Sequence, residues 1–150
     1  MRLFIQCILL LLLAALPVLI ATSCENEDDV DEIFENKTWK ITGATINGKV
    51  LSGEDLKRLY EVENTYYMVF QQSAVQGCLS ESASFAGSWR ADGKRQTFRC
   101  EVRMANEEET LSVLDTLLFA ILKNATRYSG DAHTLRIEMD GSNFLRLTKI

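Results

Sequence analysis

From Asn36 onward the chain is written mostly in a two-residue alternation of apolar and polar side chains, the period of a strand with one buried face. Thr38–Ile46 sets Trp39 and Ile41 on one face against Lys40 and Thr42 on the other. Asn47-Gly48 and then Lys49-Val50-Leu51 follow. Asn-Gly between such runs predicts a hairpin, because a type I′ turn needs positive φ at both central residues. Asn64–Gln72 predicts a strand with Tyr66, Met68 and Phe70 opposed to Tyr67 and Val69. Ser84–Met104 predicts a second hairpin: Phe85, Gly87 and Trp89 alternate before Asp92-Gly93, and Phe98, Cys100, Val102 and Met104 alternate after it, with Arg99, Glu101 and Arg103 outside. A two-residue turn at Asp92-Gly93 would set Cys100 opposite Phe85. A third hairpin runs through Leu135, Ile137 and Met139, turns at Asp140-Gly141 and returns through Phe144–Leu147.

Two stretches change period. Ser52–Tyr60 reads as a short helix capped by Ser52. Leu111, Leu114, Leu118, Ile121, Leu122 and Ala125 recur at three- and four-residue spacings and predict the main helix. Asn106 is its expected cap, with Glu109 in the capping-box position. Glu107–Glu109 would then sit at the positive end of the helix dipole, and Lys123 and Arg127 near the negative end. The expected fold is α+β: an antiparallel curved sheet or partial barrel of about seven to eight strands packed with one main helix.

The first 35 residues follow other rules. Met1–Ser23 has one cation, Arg2, an apolar run to Ala21 and small residues before Cys24, which is the plan of a secretory signal peptide. A retained membrane helix is the rival, since the run approaches the roughly 20 residues that span a bilayer. Ala21-Thr22-Ser23-Cys24 resembles the lipobox of bacterial lipoproteins, with Ala21 where Leu, Val or Ile is usual, and so marks Cys24 for lipidation. Residues 24–35 then form an acidic tether, with seven acids and no cation before Lys37; such a run repels itself and stays solvated. Either it is only a spacer, or Glu25, Glu27, Asp28 and Asp29 act as an export signal, since the run resembles the acidic surface-export signal of some Gram-negative lipoproteins. Residues 36–150 are the expected domain.

This division changes the meaning of the composition. The formal net charge is −5 and the apolar fraction is 47%, but 52 of the 127 residues from Cys24 onward are apolar, an ordinary value for a folded domain. Removing Arg2 with the signal leaves 15 cations against 21 acids, and seven of those acids precede Asn36. The domain is therefore nearly neutral, and nucleic acid is excluded by the envelope address rather than by charge.

Catalytic signatures are absent. His133 is the sole histidine, and no local sequence marks a nucleophile for it to serve. Cys78, Cys100 and His133 do not have the spacing of a zinc motif, and there is no Gly-rich phosphate loop. Asp115-Thr116-Leu117 resembles a short O-glycosylation motif of Gram-negative envelope proteins. An exported chain meets an oxidising compartment, so Cys78 and Cys100 are a candidate disulfide, with free buried thiols as the alternative. Tyr67 and Tyr60, left outside by the alternation, are the candidates for surface contact.

The order of short motifs from Asn36 to the end is similar to the META domain of HslJ-type envelope proteins: Trp39-Lys40-Ile41, Ile46-Asn47-Gly48-Lys49, Gly77-Cys78, Phe85-Ala86-Gly87-Ser88-Trp89 with Asp92-Gly93, Arg103-Met104-Ala105, and Tyr128-Ser129-Gly130-Asp131. Leu79 and Asn106 stand where that family has Asn and its second Cys. A lipocalin-like barrel is the runner-up fold. With the lipobox at Cys24 and the missing cofactor and metal motifs, the resemblance leads to the expectation of a non-enzymatic, lipid-anchored outer-membrane protein without cofactor or metal, structural or protein-binding, facing the periplasm or the exterior. Its partners would be the membrane, through the anchor, and another envelope protein. A lipocalin-like carrier of a small apolar ligand is the alternative. Oligomeric state is left open.

Overall fold

The computed structural model describes residues 29–105 and 111–150. The signal segment, Cys24, Glu25, Glu27, Asp28 and the Asn106–Glu109 capping box lie outside them. The described chain runs α1 (Val30–Phe34), β1 (Lys37–Ile46), β2 (Lys49–Val50), α2 (Gly53–Glu61), β3 (Tyr67–Gln71), β4 (Ala74–Ser80), β5 (Ala83–Asp92), β6 (Thr97–Met104), α3 (Val113–Lys123), β7 (Arg127–Gly130), β8 (Thr134–Asp140) and β9 (Asn143–Lys149).

Each strand from β3 to β9 pairs antiparallel with its neighbour, and β9 returns to pair with β1. The result is a closed eight-stranded barrel, with β2 as a short extension on β1. β1 can serve two partners because it is ten residues long. Its first half pairs with β3 through Lys37–Lys40, and on its other edge Trp39–Thr45 pairs with β9. A register shift between Ile41 and Gly43 bends it between these tasks. Closure leaves the inward side chains of every strand facing one another. The faces read from alternation hold: Trp39, Ile41, Met68, Phe70, Phe85, Trp89, Phe98, Cys100, Val102, Leu135, Ile137, Leu145 and Leu147 are all buried.

Two helices seal the barrel. α1 lies in the stretch read as the end of the acidic tether, so the fold begins before Asn36. Asp29 Oδ1 accepts a hydrogen bond from Glu32 N and caps it. Its payload is Phe34, which is fully buried and has ring centroids 4.9–5.5 Å from Trp89, Phe70, Tyr128 and Phe98. Edge-to-face and offset pairs of this kind add about 0.5–1.5 kcal/mol each beyond area burial. α3 closes the other end, with Leu114, Leu118, Ile121 and Leu122 buried against the strands. It also covers a seam. β6 and β7 share a single pair, Thr97↔Arg127, and α3 packs beside β6 where no strand does. Its cap is Ser112, whose Oγ accepts from Asp115 N, so the helix starts later than an Asn106 cap would place it.

Two further expectations are corrected. The β5–β6 turn is not a two-residue Asp92-Gly93 turn. Asp92 pairs with Thr97, the loop is Gly93–Gln96, Gln96 takes the left-handed conformation (φ 53°), and Cys100 lies opposite Trp89. The Cys78–Cys100 bridge is not formed, and both thiols are free. β5 lies between their strands, Cys78 faces outward level with Ser84, and Cys100 faces inward level with Trp89. The five residues separating those levels span about 16 Å of strand.

Candidate functional site

The outer wall at β3, β1 and β9 carries a groove of about 700 Å³. Its floor is the outward row of these strands: Thr38, Lys40 and Thr42 on β1, Tyr67 and Val69 on β3, and Thr148 on β9. α2 and the loop after it form one side. α2 is amphipathic, with Leu59 fully buried and Tyr60 57% exposed at the rim. Tyr60 Oη donates to the Thr42 carbonyl at 2.9 Å, which fixes its ring beside the groove. Val62 and Ile150, 38% and 70% exposed, continue the apolar rim.

The loop is locked. Asn64 and Tyr66 both hold positive φ, 59° and 51°, a conformation that costs a bulky residue about 1 kcal/mol or more and persists only where surroundings enforce it. Here they do. Lys40 Nζ donates to the Thr65 carbonyl at 2.5 Å, Thr65 Oγ1 donates to the Val62 carbonyl at 2.8 Å, and Ile41 N donates to the Tyr66 carbonyl at 2.7 Å. Beneath the loop Tyr66 Oη donates to Asp115 Oδ1 at 3.0 Å, a buried link to α3.

Burial sets the chemistry of the nearby groups. It lowers the Lys40 ammonium below its ordinary range. Burial and the adjacent Asp115 carboxylate push the Tyr66 phenol up to about 12. Burial, with Asp115 and Glu81, also raises the Cys78 thiol, whose Sγ donates to the Ser80 carbonyl. A nucleophilic cysteine needs the opposite shift. His133 is exposed in the turn before β8, at the other end of the barrel from Cys78. The groove offers threonine hydroxyls, two tyrosines and an apolar rim as contact chemistry.

Of the residues singled out from sequence, Tyr60 and Tyr67 are brought together in this groove. Cys78 pairs beside Tyr67 on β4, outside it. In the Asp115-Thr116-Leu117 motif, Asp115 is buried, while Thr116 is exposed and donates to the Ser112 carbonyl. Asp29 is a helix cap. Lys40, Thr65 and the locked loop went unrecognised in the sequence; Asn64, a residue that tolerates left-handed φ, was the available signal.

Residues 25–147 match the family described as domain of unknown function DUF4847. The chain belongs to this family. A solved relative has the same fold: the crystal structure of a DUF4847 family protein from Bacteroides vulgatus ATCC 8482 at 1.00 Å resolution superposes with TM-score 0.61 and 17% identity, over 80% of this chain and 96% of that one. No functionally curated protein matches. Membership in DUF4847 replaces the META resemblance. Three of the motifs behind that resemblance answer to the geometry of this barrel. A Cβ at Gly77 would stand 2.3 Å from the Tyr67 carbonyl oxygen, and one at Gly87 1.9 Å from that of Glu101. Asn47-Gly48 supplies the two positive φ angles of its turn.

Proposed function

We propose that this DUF4847 chain is a non-enzymatic, lipid-anchored outer-membrane protein of the cell envelope, whose barrel is a scaffold and whose outer groove binds another envelope protein. The groove carries the reading: two tyrosines, an apolar rim and a loop held in a strained conformation stand ready before any partner arrives, which lowers the ordering cost of binding. The tyrosines are suited to it, since they offer large contact area with few rotors. Cys24 would carry the lipid, five residues before the cap of α1. Two or more acyl chains make such an anchor stable.

Two experiments test this. Growth with an alkyne-tagged fatty acid should label the protein, and Cys24→Ala should abolish the label; a labelled Cys24→Ala chain contradicts the anchor. A photoreactive residue at position 60, irradiated in intact cells, should give one discrete protein adduct that Val62→Asp removes. No adduct, or an adduct indifferent to Val62→Asp, contradicts the groove.

A second reading, a carrier of a small apolar ligand inside the barrel, draws on one observation. Among the described residues the buried indole nitrogens of Trp39 and Trp89 have no hydrogen-bond partner, a cost of about 1–3 kcal/mol each that a polar atom of a bound molecule would relieve. Against it stands Phe34, which occupies the space between the walls.

A further inference from the structure

We infer a phosphate-binding site on the opposite wall, in the cleft between Arg90 and Arg99. These residues face each other in register across β5 and β6. Both side chains lie outside the barrel, since Trp89 and Phe98 beside them point in, and both are exposed. Like charges directly opposite on an antiparallel pair destabilise it. No carboxylate offsets this pair: among the described residues neither guanidinium lies within 4.0 Å of one, whereas Lys57–Glu54, Arg127–Glu138 and Arg136–Glu138 do pair. Asp92 and Glu101 each stand two residues from one of these arginines: Asp92 Oδ1 accepts the Lys94 and Arg95 backbone N–H groups at 3.0 Å each, and Glu101 is set opposite Ser88.

Between the two arginines is a cleft of about 290 Å³, lined by Arg90, Ala91, Asp92, Thr97 and Arg99. The hairpin carries five cations, Arg90, Lys94, Arg95, Arg99 and Arg103, against two acids, Asp92 and Glu101, so its net charge is positive although the whole domain is nearly neutral. A compact dianion between the two guanidinium groups would turn their repulsion into attraction. Each planar fork can bind two oxygens, and the Thr97 hydroxyl adds a donor. A carboxylate, with two oxygens, is satisfied by one fork. A phosphate has enough oxygens for both, so phosphate or a phosphate monoester is the chemistry that fits.

The source is either a lipid headgroup or a phosphorylated solute. The headgroup arm belongs in the test because α1 enters the barrel at this same end, with Phe34 packed on Trp89 and Phe98. The inference does not depend on the groove or on the anchor. It is tested on the full chain in detergent, by following the arginine side-chain Nε–H resonances during titration with inorganic phosphate, with chloride at matched ionic strength as control. Phosphate should shift Arg90 and Arg99 saturably, and Arg99→Gln should weaken binding tenfold or more. Without phosphate, Arg99→Gln should raise the unfolding midpoint by roughly 1–4 °C as repulsion is relieved. Dihexanoyl phosphatidic acid binding more tightly than phosphate, with dihexanoyl phosphatidylcholine silent, identifies a headgroup. Equal affinity for phosphate and phosphatidic acid identifies a solute. Shifts that do not saturate, that chloride reproduces, or that persist unchanged in Arg99→Gln overturn the site.

Discussion

The inside and the outside of this barrel are built from different materials. Inside, Phe34, Phe70, Trp89, Phe98 and Tyr128 pack ring against ring, Phe85 meets Phe119, and Trp39 is fully buried. Outside, at the groove, threonines with Tyr67 and Val69 form the floor, Tyr60, Val62 and Ile150 form the rim, and one partly desolvated lysine pins a left-handed loop. An eight-stranded barrel is just wide enough either to be filled by its own side chains or to enclose one small ligand. Here a helix that begins in an acidic stretch delivers a phenylalanine into that space. The contrast teaches that strand number alone does not decide what a barrel holds: here the Phe34 ring occupies its interior, and the groove lies on the outer wall.

The largest effect should come from removing the plug. Phe34→Ala should cost about 3–5 kcal/mol, seen as a fall in the unfolding midpoint by thermal or urea denaturation. If instead the cost is under 1 kcal/mol, the interior has room and the contrast fails. Next is the tightness of the wall. Gly87→Ala places a methyl against the Glu101 carbonyl and should cost about 1–3 kcal/mol by overpacking, while Gly141→Ala, in open space, should cost far less.

A third effect separates buried acids from exposed ones by pH. Burial raises Cys100 from 9.0 to about 12, and burial with Asp115 raises Tyr66 from 10.0 to about 12. Both keep their protons in the folded chain at a pH where the unfolded chain has lost them. Stability from these groups is therefore complete below pH 9 and is lost as pH rises toward 12. Unfolding midpoints measured across this window should fall, and Tyr66→Phe and Cys100→Ala should each flatten the decline. The smallest effect is at the groove. Tyr60→Ala should change stability by about 0.5 kcal/mol or less and, with the photoreactive residue moved to position 67 in the same groove, should abolish the adduct to a partner. A large loss of stability would make Tyr60 part of the packing rather than of a binding surface.

How far the sequence foretold this follows the range of each interaction. Inward and outward faces were legible in Met68 and Phe70, in Phe98, Cys100 and Val102, and in Leu135 and Ile137, because period-two burial is local. The Asn47-Gly48 turn was legible for the same reason. Closure through β1 and β9 was not, since it depends on strand number and stagger together. Phe34 was hidden because seven acids around it read as solvated tether, although Ile33-Phe34 is an apolar pair within them. The thiols were misplaced by a turn two residues longer than assumed, which moved Cys100 from Phe85 to Trp89. At the site, Tyr60 and Tyr67 were found as outward aromatics. Lys40 and the Asn64–Tyr66 loop were not, because their role is made by contacts with β1 and α3.

The claim that the barrel is filled and works through its outer wall has a direct readout in its own tryptophans. Trp39 and Trp89 both face the interior, so energy transfer from them to an apolar fluorescent fatty acid reports occupancy of the barrel. Titration with cis-parinaric acid should produce no saturable one-to-one quenching of tryptophan emission. Saturable one-to-one quenching that survives Tyr60→Ala would place a ligand inside and contradict the account.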